Sequence, residues 1–238
     1  MTDITTLNDA RQDLADANRI LFNQDVVDAF GHVSMRDPTN PNQFLLSRNK
    51  APATVTPADV LTFDLQGNLL GGGTHKVYLE RFIHAAIYAA RPDVHGVVHS
   101  HAKAVVPFTI VKSARLRPVC HMGGFLSGIV PNFEIRDHAG MGSDLLIRDL
   151  QLGRDLAQKL DQSAVVLMRG HGSTVVGMSL KQAVFRAVYT QNNAQIQAAA
   201  MALGEVTYLT DEEALAADEA NTGQISRAWE FWSSQTQE

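Results

Sequence analysis

The strongest constraint on the fold is residues 97–101, where two valines lead directly into His99, Ser100 and His101. Residues 94–100 have the pattern of a short buried strand. Side chains at positions i and i+2 of a strand leave the same face, so His99 and His101 can direct two imidazoles at one point. The sequence therefore predicts a strand that ends at a functional site.

A third histidine lies in a separate motif, because His171 stands between Gly170 and Gly172. The apolar residues 165–168 before it are predicted to form another buried strand. Glycine lets the backbone turn sharply and approach a ligand closely, so His171 can reach the same point from another loop. Three neutral imidazoles are a usual ligand set for a catalytic divalent metal that keeps one position open for substrate. Together the three histidines predict a metal site, whereas the alternative for any one alone is a surface or hydrogen-bonded core ring.

The remaining pattern alternates short strands with helices. Strands are predicted at residues 30–36, 44–47, 60–64, 94–100, 165–168 and 173–177, and helices at residues 6–24, 79–90, 102–112, 143–160, 179–203 and 210–232. Prolines and asparagines in residues 38–42 form a turn-rich break that predicts a hairpin between the first two strands. Hairpins mixed with helices predict one α/β domain over residues 1–238, with a central mainly antiparallel β-sheet covered by helices and a C-terminal helical tail from about residue 205.

Composition and charge exclude several functions. At 238 residues the chain is long enough to bury one large core. A formal net charge of −5 argues against a general nucleic-acid partner, and the apolar run within residues 102–112 is too short to span a bilayer. The polar residues 1–9 do not have the pattern of a signal peptide. Cys120 is the single cysteine and cannot form an internal disulfide, so we expect a cytoplasmic protein. The net charge and the short apolar run predict that it has no nucleic-acid and no membrane partner.

The same motifs resemble the class II aldolase/adducin family, from the N-terminal helix to about residue 203. The matching residues are Glu80, 91–93, 97–101 and 170–172. The resemblance implies that His99, His101 and His171 bind the metal, and that Glu80 is a fourth ligand or an acid/base when substrate displaces it. It also implies a homotetramer with active sites between subunits. Adducin-type members have lost the metal histidines, so the three intact histidines favour an enzyme.

The chemistry that the resemblance implies depends on an enolate. Breaking a carbon–carbon bond next to a carbonyl leaves a carbanion, which a divalent metal stabilises as a Lewis acid on the enolate oxygen. Retro-aldol cleavage and decarboxylation share this intermediate, so both reactions remain open. Histidine and carboxylate ligands accept Zn²⁺ or Mn²⁺, and also Fe²⁺ or Co²⁺, so the predicted cofactor is one divalent ion per subunit. Glu80 or Tyr189 would give the proton to carbon, although the ring of Tyr189 fits a core position as easily.

Two departures from the sugar-phosphate aldolase pattern favour decarboxylation. Those aldolases carry Gly-Asn where this chain has Gly31 and His32, and Ser-Ser where it has Tyr78 and Leu79. Their small polar groups help to hold a phosphate, whereas tyrosine and leucine make a pocket that suits a planar ring or a dienoate. Three further segments resemble catabolic decarboxylases of hydroxylated aromatic or pyridine dicarboxylates, or of carboxylated ring-cleavage products. These segments are residues 31–36, 45–48 and 115–118.

Carboxylate recognition supplies the remaining candidates. Arginine binds both oxygens of a carboxylate with its guanidinium fork, so Arg48, Arg115 and Arg117 are predicted to bind substrate. A surface or structural role is the alternative for each of them. His32 could orient the leaving carboxylate or a ring hydroxyl, or it could be a strand-end histidine that is bonded to backbone.

The sequence thus predicts a divalent-metal-dependent decarboxylase of a small hydroxylated aromatic, heteroaromatic or ring-opened carboxylic acid. An aldolase or epimerase that acts on a non-phosphorylated hydroxy-oxo acid is the first alternative. A non-catalytic, adducin-like interaction module is the second. The intact histidine set and the absence of a charged partner-binding tail both count against that module.

Overall fold

A seven-stranded sheet lies at the centre of the computed structural model, which describes residues 6–236. The strands are β1 (His32–Arg36), β2 (Gln43–Ser47), β3 (Val60–Asp64), β4 (Gly96–Ser100), β5 (Asn132–Phe133), β6 (Val165–Met168) and β7 (Gly172–Gly177). Their order is β3-β2-β1-β4-β7-β6-β5, and each pair is antiparallel except β5 with β6. The predicted domain limits, residues 1–238, and the polar residues 1–9 lie partly outside the described residues.

Helices cover both faces of this sheet. They are α1 (Leu7–Asn23), α2 (Arg81–Ala90), α3 (Val106–Ile110), α4 (Arg136–Ala139), α5 (Leu150–Leu160), α6 (Leu180–Leu203), α7 (Asp211–Thr222) and α8 (Ile225–Ser234). The helices α1 and α6 pack on the face that carries Val33 and Val98, whereas α2 and α5 pack on the face with Val97 and Val176. The predicted fold class, a mainly antiparallel sheet covered by helices, is confirmed. Within residues 6–236, no helix has the length and apolar character needed to cross a membrane.

The sequence pattern is right for α6 and partly wrong for two other helices. The side chain of Ser179 caps α6, as predicted. The helix predicted at residues 102–112 is reduced to α3, because Pro107 lacks a backbone N–H and fits only a first helical turn. The helix predicted at residues 210–232 is divided into α7 and α8, because Gly223, a poor helix former, follows α7.

The helix predicted at residues 143–160 begins only at α5, because the residues before it form other hydrogen bonds. The side chain of Asp149 accepts a hydrogen bond from the first turn of α5 and caps the helix. Upstream of this cap, the backbone groups of Leu145 and Ile147 bond to polar side chains from distant parts of the chain. These contacts hold residues 143–149 in an irregular conformation.

The start of β7 lies close to β4, and Gly172 makes this approach possible. A methyl group at this position would overlap the backbone carbonyl oxygen of Ser100, which cannot move without disturbing the sheet. We therefore expect Gly172→Ala to lower the free energy of unfolding by about 3 kcal/mol, measured by urea denaturation. Gly142→Ala is the matched control, because within the described residues no heavy atom other than those of residue 142 and its two chain neighbours lies within 4 Å of the added methyl group. An unchanged denaturation midpoint for Gly172→Ala would contradict this packing.

Candidate metal centre

Four polar side chains converge at the end of β4: Glu80, His99, His101 and His171. One nitrogen or oxygen of each lies within 4.8 Å of those of the others. Nε2 of His101 lies 3.2 Å from Nε2 of His99 and 2.9 Å from Nε2 of His171. Oε2 of Glu80 lies 3.5 Å from the Nε2 atoms of His99 and His171. Since nitrogens bound to one zinc ion at about 2.0–2.1 Å in tetrahedral directions are about 3.3 Å apart, the four groups fit a single divalent ion.

Strand pairing brings the two histidine motifs together. The strands β4 and β7 are antiparallel neighbours, with Ser100 paired to Ser173. The residue that follows β4, His101, therefore lies beside the residue that precedes β7, His171. Glu80 immediately precedes α2, which packs on the same sheet face as the side chains of β4 that include His99.

Hydrogen bonds and burial leave the histidine nitrogens ready to bind a cation. Nδ1–H of His171 donates to the carbonyl oxygen of Leu145 at 2.9 Å, which leaves the lone pair on Nε2. Burial holds the pKa of His99 well below its ordinary value and lowers the pKa of His171 to about 4, so both rings are neutral. The neutral ring is the form that binds a metal ion.

The carboxylate of Glu80 has one oxygen held and one oxygen free. The backbone N–H of Ile147 donates to Oε1 at 3.0 Å, whereas Oε2 faces His99 and His171. Burial raises the pKa of Glu80 to about 7, so this side chain exchanges a proton near neutral pH. The group is suited both to metal ligation and to proton transfer.

His32 lies beside these ligands on the neighbouring strand β1. It is the register partner of His99, and the centres of the two rings are 5.0 Å apart. The centre of the Tyr78 ring lies 4.6 Å from that of His32. Nδ1 of His32 is bonded to Nε2 of His84 at 2.6 Å, not to backbone. Sequence patterns did not indicate this role for His84, which lies four residues after Glu80.

The predicted substrate-binding arginines contact other groups in this chain. Arg48 forms an ion pair with Asp59 at 2.7 Å. The guanidinium of Arg117 lies 4.0 Å from the centre of the Tyr208 ring, and the backbone carbonyl of Arg115 accepts a hydrogen bond from α6. Among residues 6–236, none of the three contacts the four converging side chains, so their roles toward substrate stay predictions.

Tyr189, the second predicted proton donor, lies on α6 among aromatic side chains. Its ring centre is 4.6 Å from that of Phe185 and 6.2 Å from that of Trp232. Within one chain it therefore occupies a packing position, which was the alternative that the sequence left open. Its catalytic role stays a prediction.

A cavity of about 440 Å³ opens beside His101. Its lining includes Asp28, Phe30, Lys103 and Gln191. This volume is in the range of small-molecule sites, so the cavity can admit a small organic acid next to the converging ligands. Lys103 gives it a cation that sequence reasoning missed, and the available signal was its position two residues after His101.

The sheet, the helices on both faces and the four converging side chains agree with an α/β protein of the class II aldolase type. The chain belongs to the class II aldolase and adducin family, because the family model for the Class II Aldolase and Adducin N-terminal domain matches residues 12–198. The resemblance that rested on Glu80 and the histidine motifs is confirmed.

Curated relatives and solved structures agree with this assignment. Decarboxylase tropJ of Talaromyces stipitatus is 37% identical over 236 residues, which cover 90% of this chain and 88% of that protein. A 3,4-dihydroxyphthalate decarboxylase of Arthrobacter keyseri is 30% identical over 196 residues, covering 75% of this chain and 73% of that protein. The structure of L-fuculose 1-phosphate aldolase from Glaciozyma antarctica PI12 has a TM-score of 0.79 at 22% identity, over 98% of this chain and 93% of that chain. This structural likeness concerns the fold.

Proposed function

We propose that this protein is a divalent-metal-dependent decarboxylase of a hydroxylated aromatic, heteroaromatic or ring-opened carboxylic acid. The observation that carries the proposal is the convergence of Glu80, His99, His101 and His171 on one point. Similarity to two proteins named as decarboxylases, one of them for 3,4-dihydroxyphthalate, supports loss of carbon dioxide rather than aldol cleavage.

The four side chains would hold one divalent ion, Zn²⁺ or Mn²⁺, and their chemistry also accepts Fe²⁺ or Co²⁺. When bound, the ion supplies Lewis-acid stabilisation of the negative charge that develops as carbon dioxide leaves. The electrons of the broken carbon–carbon bond stay with the substrate, and Glu80, once substrate has displaced it from the ion and it has taken up a proton, would give that proton to the carbon that lost the carboxylate. Burial raises the pKa of Glu80 in the metal-free site to about 7, so a Glu80 carboxylate that substrate has displaced from the ion would take up a proton near neutral pH.

The surroundings of Tyr78 support a planar substrate. Its hydroxyl donates to the backbone carbonyl oxygen of Lys50, so the ring, not the hydroxyl, faces His32. The site therefore offers an aromatic surface where a phosphate would need small polar groups. The candidates for binding a retained carboxylate are Lys103, Arg48, Arg115 and Arg117.

The proposal includes a homotetramer in the cytoplasm, with active sites between subunits. Family membership supports this assembly, and exposed apolar side chains supply surfaces for it. The most exposed examples are Ile129, Met141 and Leu203. The single cysteine supports a reducing compartment.

Carbon dioxide release tests the proposed reaction. The purified protein is offered 3,4-dihydroxyphthalate and a panel of hydroxylated aromatic, pyridine and dienoic acids, before and after treatment with a chelator. We expect release of carbon dioxide from at least one of these acids, loss of release after chelation, and recovery on addition of Zn²⁺ or Mn²⁺. Activity that survives complete metal removal would contradict the proposal. An aldehyde product without carbon dioxide would identify an aldolase, and a protein that binds no metal would identify an interaction module.

A further inference from the structure

A chain of buried hydrogen bonds runs from Tyr88 to His32, beside the metal centre. The Tyr88 hydroxyl lies 2.9 Å from Oγ of Ser34, and this Oγ lies 2.6 Å from Nδ1 of His84. Nε2 of His84 in turn lies 2.6 Å from Nδ1 of His32. All four side chains are buried. The chain ends at a ring whose centre is 5.0 Å from that of His99.

The spacing of residues on β1 and on α2 places these four side chains within hydrogen-bonding distance of one another. His32 and Ser34 are two residues apart on β1, so their side chains share one face of the sheet. Glu80, His84 and Tyr88 are spaced by four residues at the start and along the length of α2, so they share one face of that helix. The helix face that carries Glu80 to the metal centre therefore also carries the two groups that reach His32.

The Tyr88 hydroxyl decides which group donates in each hydrogen bond of this chain. Its buried hydroxyl must donate to an acceptor, and Oγ of Ser34 is the acceptor that it has within residues 6–236, since the backbone N–H of Val97 beside it can only donate. Ser34 therefore accepts from Tyr88 and must direct its own proton to Nδ1 of His84. The reverse order would leave a buried phenol proton without an acceptor, which is strongly unfavourable.

The two histidine rings complete the order. A histidine ring keeps at least one of its two N–H protons, so a ring that accepts a hydrogen bond through one nitrogen carries its proton on the other nitrogen. Because Nδ1 of His84 accepts from Ser34, the proton of His84 is on Nε2 and is donated to Nδ1 of His32. The single proton of His32 is then on Nε2. This atom has no hydrogen-bond partner in the described part of the chain.

We propose that Tyr88, Ser34 and His84 are positioning residues that fix His32 as its Nε2–H tautomer, so that His32 offers a hydrogen-bond donor to a negatively charged oxygen of the substrate. This inference rests on the proposed function, because a carboxylate or enolate oxygen is the acceptor. A donor attracts such an oxygen, whereas the lone pair of the other tautomer would repel it. His32 is thus neither a metal ligand nor a base.

The tautomers can be observed directly by nitrogen NMR of the zinc-loaded protein, labelled with ¹⁵N in histidine. Protonated and unprotonated ring nitrogens give distinct signals, and the variants His32→Gln and His84→Gln assign them. We expect protons on Nε2 of both rings, with a preference of about 10- to 100-fold over the reverse order. A proton on Nδ1 of His32 in the wild-type protein would overturn the proposal.

Ser34 provides the matched pair of variants. Ser34→Ala removes the donor to His84, so the preference for the Nε2–H form of His32 is expected to fall by about tenfold or more. Ser34→Thr keeps a hydroxyl and should restore the wild-type signals, which a purely structural role of Ser34 would not require. An unchanged tautomer in Ser34→Ala would also overturn the proposal. The readout needs no substrate, so the expected tautomers without carbon dioxide release would reject the proposed reaction and leave the proton order standing.

Discussion

Replacing His99 with alanine is expected to abolish metal retention and to lower kcat/KM for carbon dioxide release by at least about a thousandfold, which corresponds to the loss of about 4 kcal/mol of Lewis-acid stabilisation. His99 is fully buried, and its Nε2 lies 3.2 Å from Nε2 of His101 and 3.5 Å from the Glu80 carboxylate. Alanine leaves the remaining ligands one nitrogen short. Elemental analysis of the purified variant measures the metal, and release of carbon dioxide measures the activity.

His95→Ala is the matched control for this substitution. His95 lies immediately before the same strand, β4, but its side chain is exposed, so this variant should retain both metal and activity. His101→Ala removes a half-buried ligand and separates loss of the metal from loss of a buried core ring. Full metal content and full activity in the His99 and His101 variants would refute the site.

In the metal-free protein, Glu80→Gln is expected to be more stable than the wild type at pH 8 and equally stable at pH 4. The pKa of Glu80, which burial raises to about 7, lies above the ordinary value of 4.5. The folded protein therefore favours the protonated carboxyl, and wild-type stability falls as the pH rises from the lower value to the higher one. Glutamine stays neutral throughout. The interval between the two pKa values corresponds to a difference of about 3 kcal/mol, measured by urea denaturation across this pH range.

With zinc bound at pH 8, the wild type is expected to be more stable than Glu80→Gln, because an amide binds the ion more weakly than a carboxylate does. Glu134→Gln is a control of opposite sign. Hydrogen bonds from Arg136 and then Arg169 lower the pKa of Glu134 to about 2, so this substitution should destabilise the protein above about pH 4.5, and its effect should shrink as the pH falls from there toward 2. A stability difference for Glu80→Gln that does not vary with pH would show that the carboxyl titrates normally.

The two histidine motifs could be recognised as candidate ligands because their signal is local. The two-residue spacing of His99 and His101 requires only that residues 97–101 be extended, and the glycines beside His171 are adjacent in sequence. The pairing of Ser100 with Ser173, which brings the motifs together, depends on the order of strands in the sheet. That order is a property of the whole chain, and local patterns did not contain it.

Sequence patterns could not predict the structure of residues that depends on contacts with residues far away in the sequence. Residues 143–149 have the apolar spacing of a helix, but the backbone of Ile147 bonds to Glu80, and this contact overrides the local preference. His84 presents the same difficulty in another form. Its four-residue spacing from Glu80 was visible, but its partner His32 lies on β1, far away in sequence, and only packing of α2 on the sheet joins the two.

The ligands of the candidate metal centre come from three separate parts of the chain: before α2, at the end of β4, and before β7. An ion held by Glu80, His101 and His171 would join these parts as a removable cross-link. Clips that close long loops restrict the unfolded chain and so favour the folded one. A cell deprived of the metal would then contain an enzyme that is both idle and easier to unfold, and proteases would remove it sooner than its loaded counterpart.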